Sequence, residues 1–295
     1  MLYDIGLTIE HGYASPAEGA RTLTHLLPRT LWGQQTLITG MIEADPWPAE
    51  RIDRTDFFGN PVTEFAWREP VESLILTLQA RVERSAMPTT MDLSPDLAGL
   101  DREVSQVRDI GPNSPHHFRG ASPRVALHPA MTAFARDCAP PGTTAQQAVV
   151  AIGKRLYREM DFDADATEVD TPPAEAFEHR HGVCQDFTHI MIACLRGIGI
   201  PAAYTSGFLR TLPPPGKERL AGADAMHAWV RAWVGLEGGW IEFDPTNDRM
   251  VGTDHIVVGY GRDYSDVAPD RGVLRTWGEQ ESNQAVDVIP VEEAA

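Results

Sequence analysis

Residues 181–201 read His181-Gly-Val-Cys-Gln-Asp-Phe-Thr-His-Ile-Met-Ile-Ala-Cys-Leu-Arg-Gly-Ile-Gly-Ile-Pro201. Phe187, Ile190, Met191, Cys194, Leu195 and Ile198 recur in this run at the three- and four-residue spacing of one helical face. Gly199 supplies a C-terminal cap and Pro201 cannot extend the hydrogen-bond ladder, so the spacing predicts a helix from about 184 to 198. Cys184 then stands in its first turn.

Downstream the periodicity changes. Ala202 to Leu209 reads as a strand, and Met226 to Val234 alternates His227, Trp229, Arg231 and Trp233 with Ala228, Val230, Ala232 and Val234. Gly235-Leu-Glu-Gly-Gly239 turns the chain, and Trp240-Ile-Glu-Phe-Asp244 returns as far as Pro245, which predicts an antiparallel hairpin. Upstream, Met131, Phe134, Ala135 and Cys138, then Val149, Ile152, Leu156 and Tyr157, predict two further helices. A helix carrying the cysteine on an antiparallel sheet is an α+β core.

Chemistry follows from that placement. A thiol is a poor nucleophile until its proton is easily lost, and unpaired N–H groups at a helix start favour the thiolate. The Cys184 N–H is also free, as a first-turn donor, to stabilise an oxyanion. Such a nucleophile needs a base and a third group that holds the base. His227 begins one arm of the hairpin and Asp244 ends the other, which predicts that they meet across neighbouring strands.

The 181–201 run, Met226-His-Ala-Trp-Val230 and Gly239-Trp-Ile-Glu-Phe-Asp-Pro-Thr-Asn247 together resemble, in order, the three core motifs of the bacterial transglutaminase-like family. Leu27-Pro-Arg29, Gln35 and Asp56 to Asn60 resemble the β domain that precedes this core in bacterial members, and His255 to Asp266 is similar to a further family segment. The resemblance implies a papain-like triad with Cys184 as nucleophile, His227 as base and Asp244 as orienting acid. It also implies an acyl-enzyme thioester and a peptide or protein amide as substrate. Hydrolysis by a cysteine peptidase or amidase is the favoured outcome. Acyl transfer to an amine, as in protein cross-linking, and a non-catalytic scaffold of the same fold are the alternatives.

Three segments are expected. Residues 1–88 hold alternating runs such as Thr36 to Glu43 and Ser73 to Val82, broken at Pro46-Trp-Pro48 and Gly59-Asn-Pro61, and read as a β-rich domain. Residues 89–127 carry four prolines, follow directly on Pro88 and show little periodicity, as a connector would. The catalytic core with a C-terminal tail takes 128–295.

Acidic residues outnumber basic ones 42 to 25, a formal charge of −17 that repels nucleic acid and anionic lipid. No stretch approaches a membrane span and the N-terminus lacks a secretory pattern, so the expected setting is cytoplasmic. Cys138, Cys184 and Cys194 are too few and too scattered for a disulfide framework or zinc ribbon, and no metal or other cofactor is expected. The sequence leaves the oligomeric state open.

Several residues have plainer readings. Cys138 and Cys194 lie on apolar helix faces and read as core. His189 is about 140° around the helix from Cys184, a surface or supporting position rather than the base. Asp186 suits any helix start, and Trp229 and Trp233 read as sheet packing. Asp161-Phe-Asp-Ala-Asp165 opens like a calcium loop but has Ala166 and Pro172 where glycine and glutamate are needed.

Overall fold

The computed structural model describes residues 1–86, 91–211, 222 and 224–291. The expected boundary between the first domain and the connector lies outside them. Five strands open the chain: β1 (Leu2–Thr24), β2 (Gln35–Asp45), β3 (Glu50–Thr55), β4 (Pro61–Ala66) and β5 (Val71–Arg84). They pair in the order β2-β5-β1-β4-β3. The long β1 shifts register between Gly12 and Ala17, so its first half pairs with β5 and its second half with β4. Tyr3, Ile5, Leu7 and Ile9 of β1 and Leu74, Leu76, Leu78 and Val82 of β5 point to one side and build the first hydrophobic core.

The proline-rich segment contains α1 (Leu97–Gln106), started by Asp96, whose carboxylate accepts from the Gly99 N–H at 2.7 Å. Helices α2 (Pro129–Cys138) and α3 (Ala145–Glu159) follow, the latter opened by a Thr144/Gln147 capping box. Strand β6 (Asp161–Phe162) starts the acidic run, α4 (Pro173–His179) follows, and β7 (His181–Gly182) pairs with β6. Helix α5 (Cys184–Gly197) comes next. It is buried at every position from Gln185 to Arg196, more completely than a one-faced stripe requires. Two of its buried polar side chains bond to backbone carbonyls. Thr188 Oγ1 donates to the Cys184 carbonyl, and Arg196 donates to the carbonyls of Ala202, Gly120 and Arg262.

The second sheet comprises β8 (Ala202–Leu209), β9 (Ala225–Trp233), β10 (Trp240–Asp244), β11 (Arg249–Met250) and β12 (His255–Gly261), in the order β11-β10-β9-β8-β12. Ala202, Tyr204, Ala228 and Val230 pack with α5 in the second core, while Phe208, Ile256 and Val258 join the first. Leu31, from the loop after β1, reaches a third cluster of Trp229, Val257 and Tyr260. Trp229 lies so close over Gly207 that a Cβ there would strike its ring, which explains a glycine in the middle of β8.

After α6 (Tyr264–Val267), the chain leaves the core. Strands β13 (Asp270–Arg275) and β14 (Gln280–Pro290) pair with the two halves of β1. The tail that sequence assigns to the core instead completes the N-terminal sheet. Its register runs from Tyr3 opposite Pro290 to Tyr13 opposite Gln280, a pairing between chain ends that no local pattern announces.

β12 is an edge strand of its sheet, and the N-terminal domain covers that edge with side-chain amides. Gln35 donates through Nε2 to the Val257 carbonyl at 2.7 Å and accepts the Val257 N–H at 2.9 Å. Asn60 does the same to Tyr260, at 2.8 and 2.9 Å. Each amide stands in for a residue of a neighbouring strand. Among the described residues, no helix is long and apolar enough to cross a membrane.

Candidate active site

Cys184 is the first residue of α5 and is partly exposed. Gly182, two residues before it, has a packing reason to lack a side chain. A Cβ there would sit 2.6 Å from the Asp186 carboxylate, which turns back to accept the Val183 N–H at 2.8 Å and the Thr167 hydroxyl at 2.6 Å. Asp186 is thus committed to the helix start, and burial raises its pKa.

The hairpin pairs Trp240 with Trp233 and Phe243 with Val230. Extending that register sets Asp244 across from Trp229, so His227 meets it as a diagonal neighbour. His227 Nε2–H donates to Asp244 Oδ2 at 2.8 Å, and the Cys184 thiol lies close enough to the same ring to raise its pKa. The structure therefore brings together the three residues singled out from sequence.

Asp244 is wholly buried. Five donors compensate. Oδ2 accepts from His227, from Asn247 Nδ2 at 2.8 Å and from His255 Nε2 at 3.0 Å, while Oδ1 accepts the N–H groups of Thr246 and Asn247. Burial alone would raise its pKa, but the bonds from His227 and His255 hold it well below the usual carboxylate range. For His227 burial would favour the neutral ring; the bond to Asp244 and the nearness of Cys184 outweigh it and lift the pKa to about 10.

The other residues fall away from this centre. Cys194 is buried, which raises its pKa, and Cys138 lies partly buried beside Arg155 Nη1 at 3.7 Å. His189 is buried, not on the surface: its Nε2 accepts the Tyr264 N–H at 3.2 Å, and burial pushes its pKa down to about 4. Trp229 is fully buried and donates from Nε1 to Glu242 at 3.3 Å, so it packs the sheet and does not line a cleft.

Two residues escape a reading of the sequence: Asn247 and His255 bind Asp244. His255 opens β12 eleven residues after Asp244, yet only the fold brings it back to that carboxylate. His227, Asp244 and His255 each offer a ligand atom within 4.8 Å of the others, a spacing that a cation could bridge. Their protons point to hydrogen bonding instead, because a carboxylate only accepts and both imidazoles face it with Nε2.

Residues 132–245 match the transglutaminase-like superfamily, and residues 3–83 match the bacterial transglutaminase-like N-terminal region. An uncharacterized protein of Mycobacterium tuberculosis is 33% identical, over 98% of this chain and 93% of that protein. An uncharacterized protein of Mycobacterium leprae is 32% identical, over 94% of each. A solved structure from Cytophaga hutchinsonii, described as a candidate cysteine protease, covers 100% of this chain with 92% of its own, at a TM-score of 0.76 and 21% identity. That likeness extends the shared fold over the β-rich region as well as the core. The chain belongs to the transglutaminase-like superfamily and carries the bacterial N-terminal region in front of its core.

Proposed function

We propose that this chain is a thiol-dependent amide hydrolase acting on a peptide or protein amide, with Cys184 as nucleophile, His227 as base and Asp244 as the group that orients His227. The observation that carries this is a partly exposed cysteine at a helix start beside a buried histidine that is held by a buried carboxylate at 2.8 Å. The thiol proton is held on His227 and the sulfur attacks the carbonyl carbon. The resulting oxyanion is met by first-turn N–H groups of α5. Collapse breaks the C–N bond, and His227 returns the proton to the departing amine. Water then attacks the thioester, giving its proton to His227, and the carboxylic acid leaves as the sulfur is released. An amine in place of water would complete an acyl transfer by the same steps. Three free cysteines and an acidic chain suit a cytoplasmic setting for this chemistry.

The test needs no substrate. A short pulse of iodoacetamide at pH 6, where an unperturbed thiol of pKa about 8.5 is almost wholly protonated, followed by peptide mapping, should label Cys184 far ahead of Cys138 and Cys194. His227→Ala should slow that labelling markedly. Equal labelling of all three cysteines, or labelling of Cys184 indifferent to His227→Ala, would leave only the scaffold alternative. Mass spectrometry of the acyl-enzyme trapped from a lysate then identifies the acyl donor.

A further inference from the structure

We infer that His255 is a positioning residue for the Cys184–His227–Asp244 site, and that the N-terminal domain holds it in place through β12. This rests on the triad reading proposed above. A carboxylate bonded to a single imidazole can rotate about its last torsion and exchange the oxygen it presents. Asp244 is denied that freedom: Oδ2 is taken by two imidazoles and an amide, Oδ1 by two backbone N–H groups. Asn247 and the backbone donors lie within three residues of Asp244 and move with it. His255 is the one fixed point among them that belongs to a strand on the far edge of the sheet.

The ring of His255 is itself locked. It is 1% exposed, and Trp229 meets it edge-on at 5.1 Å. The Gly252 N–H points at Nδ1 at 3.4 Å, which leaves the proton on Nε2, where it donates to Asp244. Together with the Asn247 amide, His255 adds to the donors on Oδ2 and keeps the carboxylate ionised, so the shared proton stays on His227.

His255 owes its position to β12, and β12 owes its position to the other domain. Gln35 grips Val257, two residues on, and Asn60 grips Tyr260, five residues on, each through both N–H and carbonyl. The Arg29 N–H adds a third bond to the Val257 carbonyl at 3.2 Å. The bacterial N-terminal region is on this account a part of the active-site scaffold.

The iodoacetamide pulse at pH 6 is run on the full chain in five forms: wild type, His227→Ala, His255→Leu, His255→Gln and Gln35→Ala, with thermal unfolding of each. Glutamine keeps an N–H donor near the position of Nε2; leucine does not. Removing an outer partner of a reactive site costs about 10- to 100-fold, so His255→Leu should slow Cys184 labelling on that scale. His255→Gln should restore most of the rate, and Gln35→Ala should slow it several-fold. If His255→Leu fails to fold, the rescue comparison passes to Gln35→Ala against Gln35→Glu, which keeps the acceptor for the Val257 N–H. A folded His255→Leu protein that labels at the wild-type rate overturns the inference, as does a His255→Gln protein as slow as a folded leucine variant. If His227→Ala slows labelling while these variants do not, the triad stands and the positioning role falls. If His227→Ala does not slow it, both fall.

Discussion

Strands of the N-terminal sheet and strands of the core sheet bury their residues in different ways. In β1, Tyr3, Ile5, Leu7 and Ile9 are buried while the residues between them keep contact with water. In β8 every residue from Ala202 to Phe208 is buried, and in β12 all seven are. A charge on the first kind of strand can face solvent, as Asp4 does, paired with Arg81 at 2.6 Å and nearly half exposed. In the core a polar group must find its partners inside the protein, and Asp244 finds five. The same residue type is therefore nearly inert in one sheet and fixed by its surroundings in the other.

The largest effect should come from taking Asp244 away. Asp244→Ala leaves two buried imidazoles and an amide without their acceptor, and a loss of about 3–5 kcal/mol is expected from breaking such a buried pair. Asp4→Ala, measured by the same thermal unfolding, should leave the midpoint where it is. Asp244→Asn keeps the volume but cannot accept from both rings in the same way, so amide hydrolysis should fall by roughly 1,000- to 10,000-fold. A midpoint shift for Asp4→Ala as large as that for Asp244→Ala would break the contrast.

The contrast is sharpened by pH. The folded pKa of Asp244 lies below the unfolded one, so its stabilising contribution is present above the ordinary carboxylate value of about 3.9 and is lost as pH falls through the folded value. His227 is displaced the other way. Its contribution is complete below about 6.5 and is lost as pH rises through about 10. Subtracting the unfolding free energies of Asp244→Asn from wild type across pH should give a plateau between about pH 4 and pH 6.5 that declines at both ends. A difference that is flat from pH 3 to pH 11 would mean that the pair is not coupled to folding.

An intermediate effect is expected where the two regions meet. Gln35→Ala leaves the Val257 N–H without its acceptor and the Val257 carbonyl with the Arg29 N–H alone, and Asn60→Ala removes the partner of both the N–H and the carbonyl of Tyr260, at a cost of about 1–3 kcal/mol apiece. Turnover should fall with stability, since β12 carries His255. Glu50→Ala, on the far strand of the N-terminal domain and paired only with the exposed Arg68, serves as the matched control and should change neither. Equal effects from Gln35→Ala and Glu50→Ala would show that the amide grip on β12 has no special weight.

Burial also explains what could be seen in advance. The 3.6-residue stripe of α5 and the alternation of β9 are local patterns, and they locate Cys184, His227 and Asp244 because each lies at the end of a readable element. The amphipathic signal fails where burial is sparse. Most of β14 is exposed, with only Val286 and Val288 buried, so nothing marks it as the partner of β1. α1 buries Gly99, Leu100 and Val104 alone and hides within a proline-rich stretch. His255 was visible as a residue; its bond to Asp244 depends on the order β9-β8-β12, which no spacing along the chain encodes.

The smallest effect expected is that of a chelator. His227, Asp244 and His255 have the spacing of a cation site, and a bound ion would have to replace the hydrogen bonds that now join them. To ligate through Nε2, His255 would move its proton to Nδ1, where the Gly252 N–H already points. His227 would give up the proton that Asp244 accepts at 2.8 Å, and Asn247 would compete for the same oxygen. Each change costs a buried bond before any coordination is gained. The acidic run at 161–165 offers no second candidate, since Asp163 spends its carboxylate on the Asp165 N–H. Exhaustive dialysis against EDTA should therefore leave both the pH 6 labelling of Cys184 and the unfolding midpoint unchanged. Loss of labelling that zinc or calcium alone restores would replace the hydrogen-bonded cluster with a metal centre.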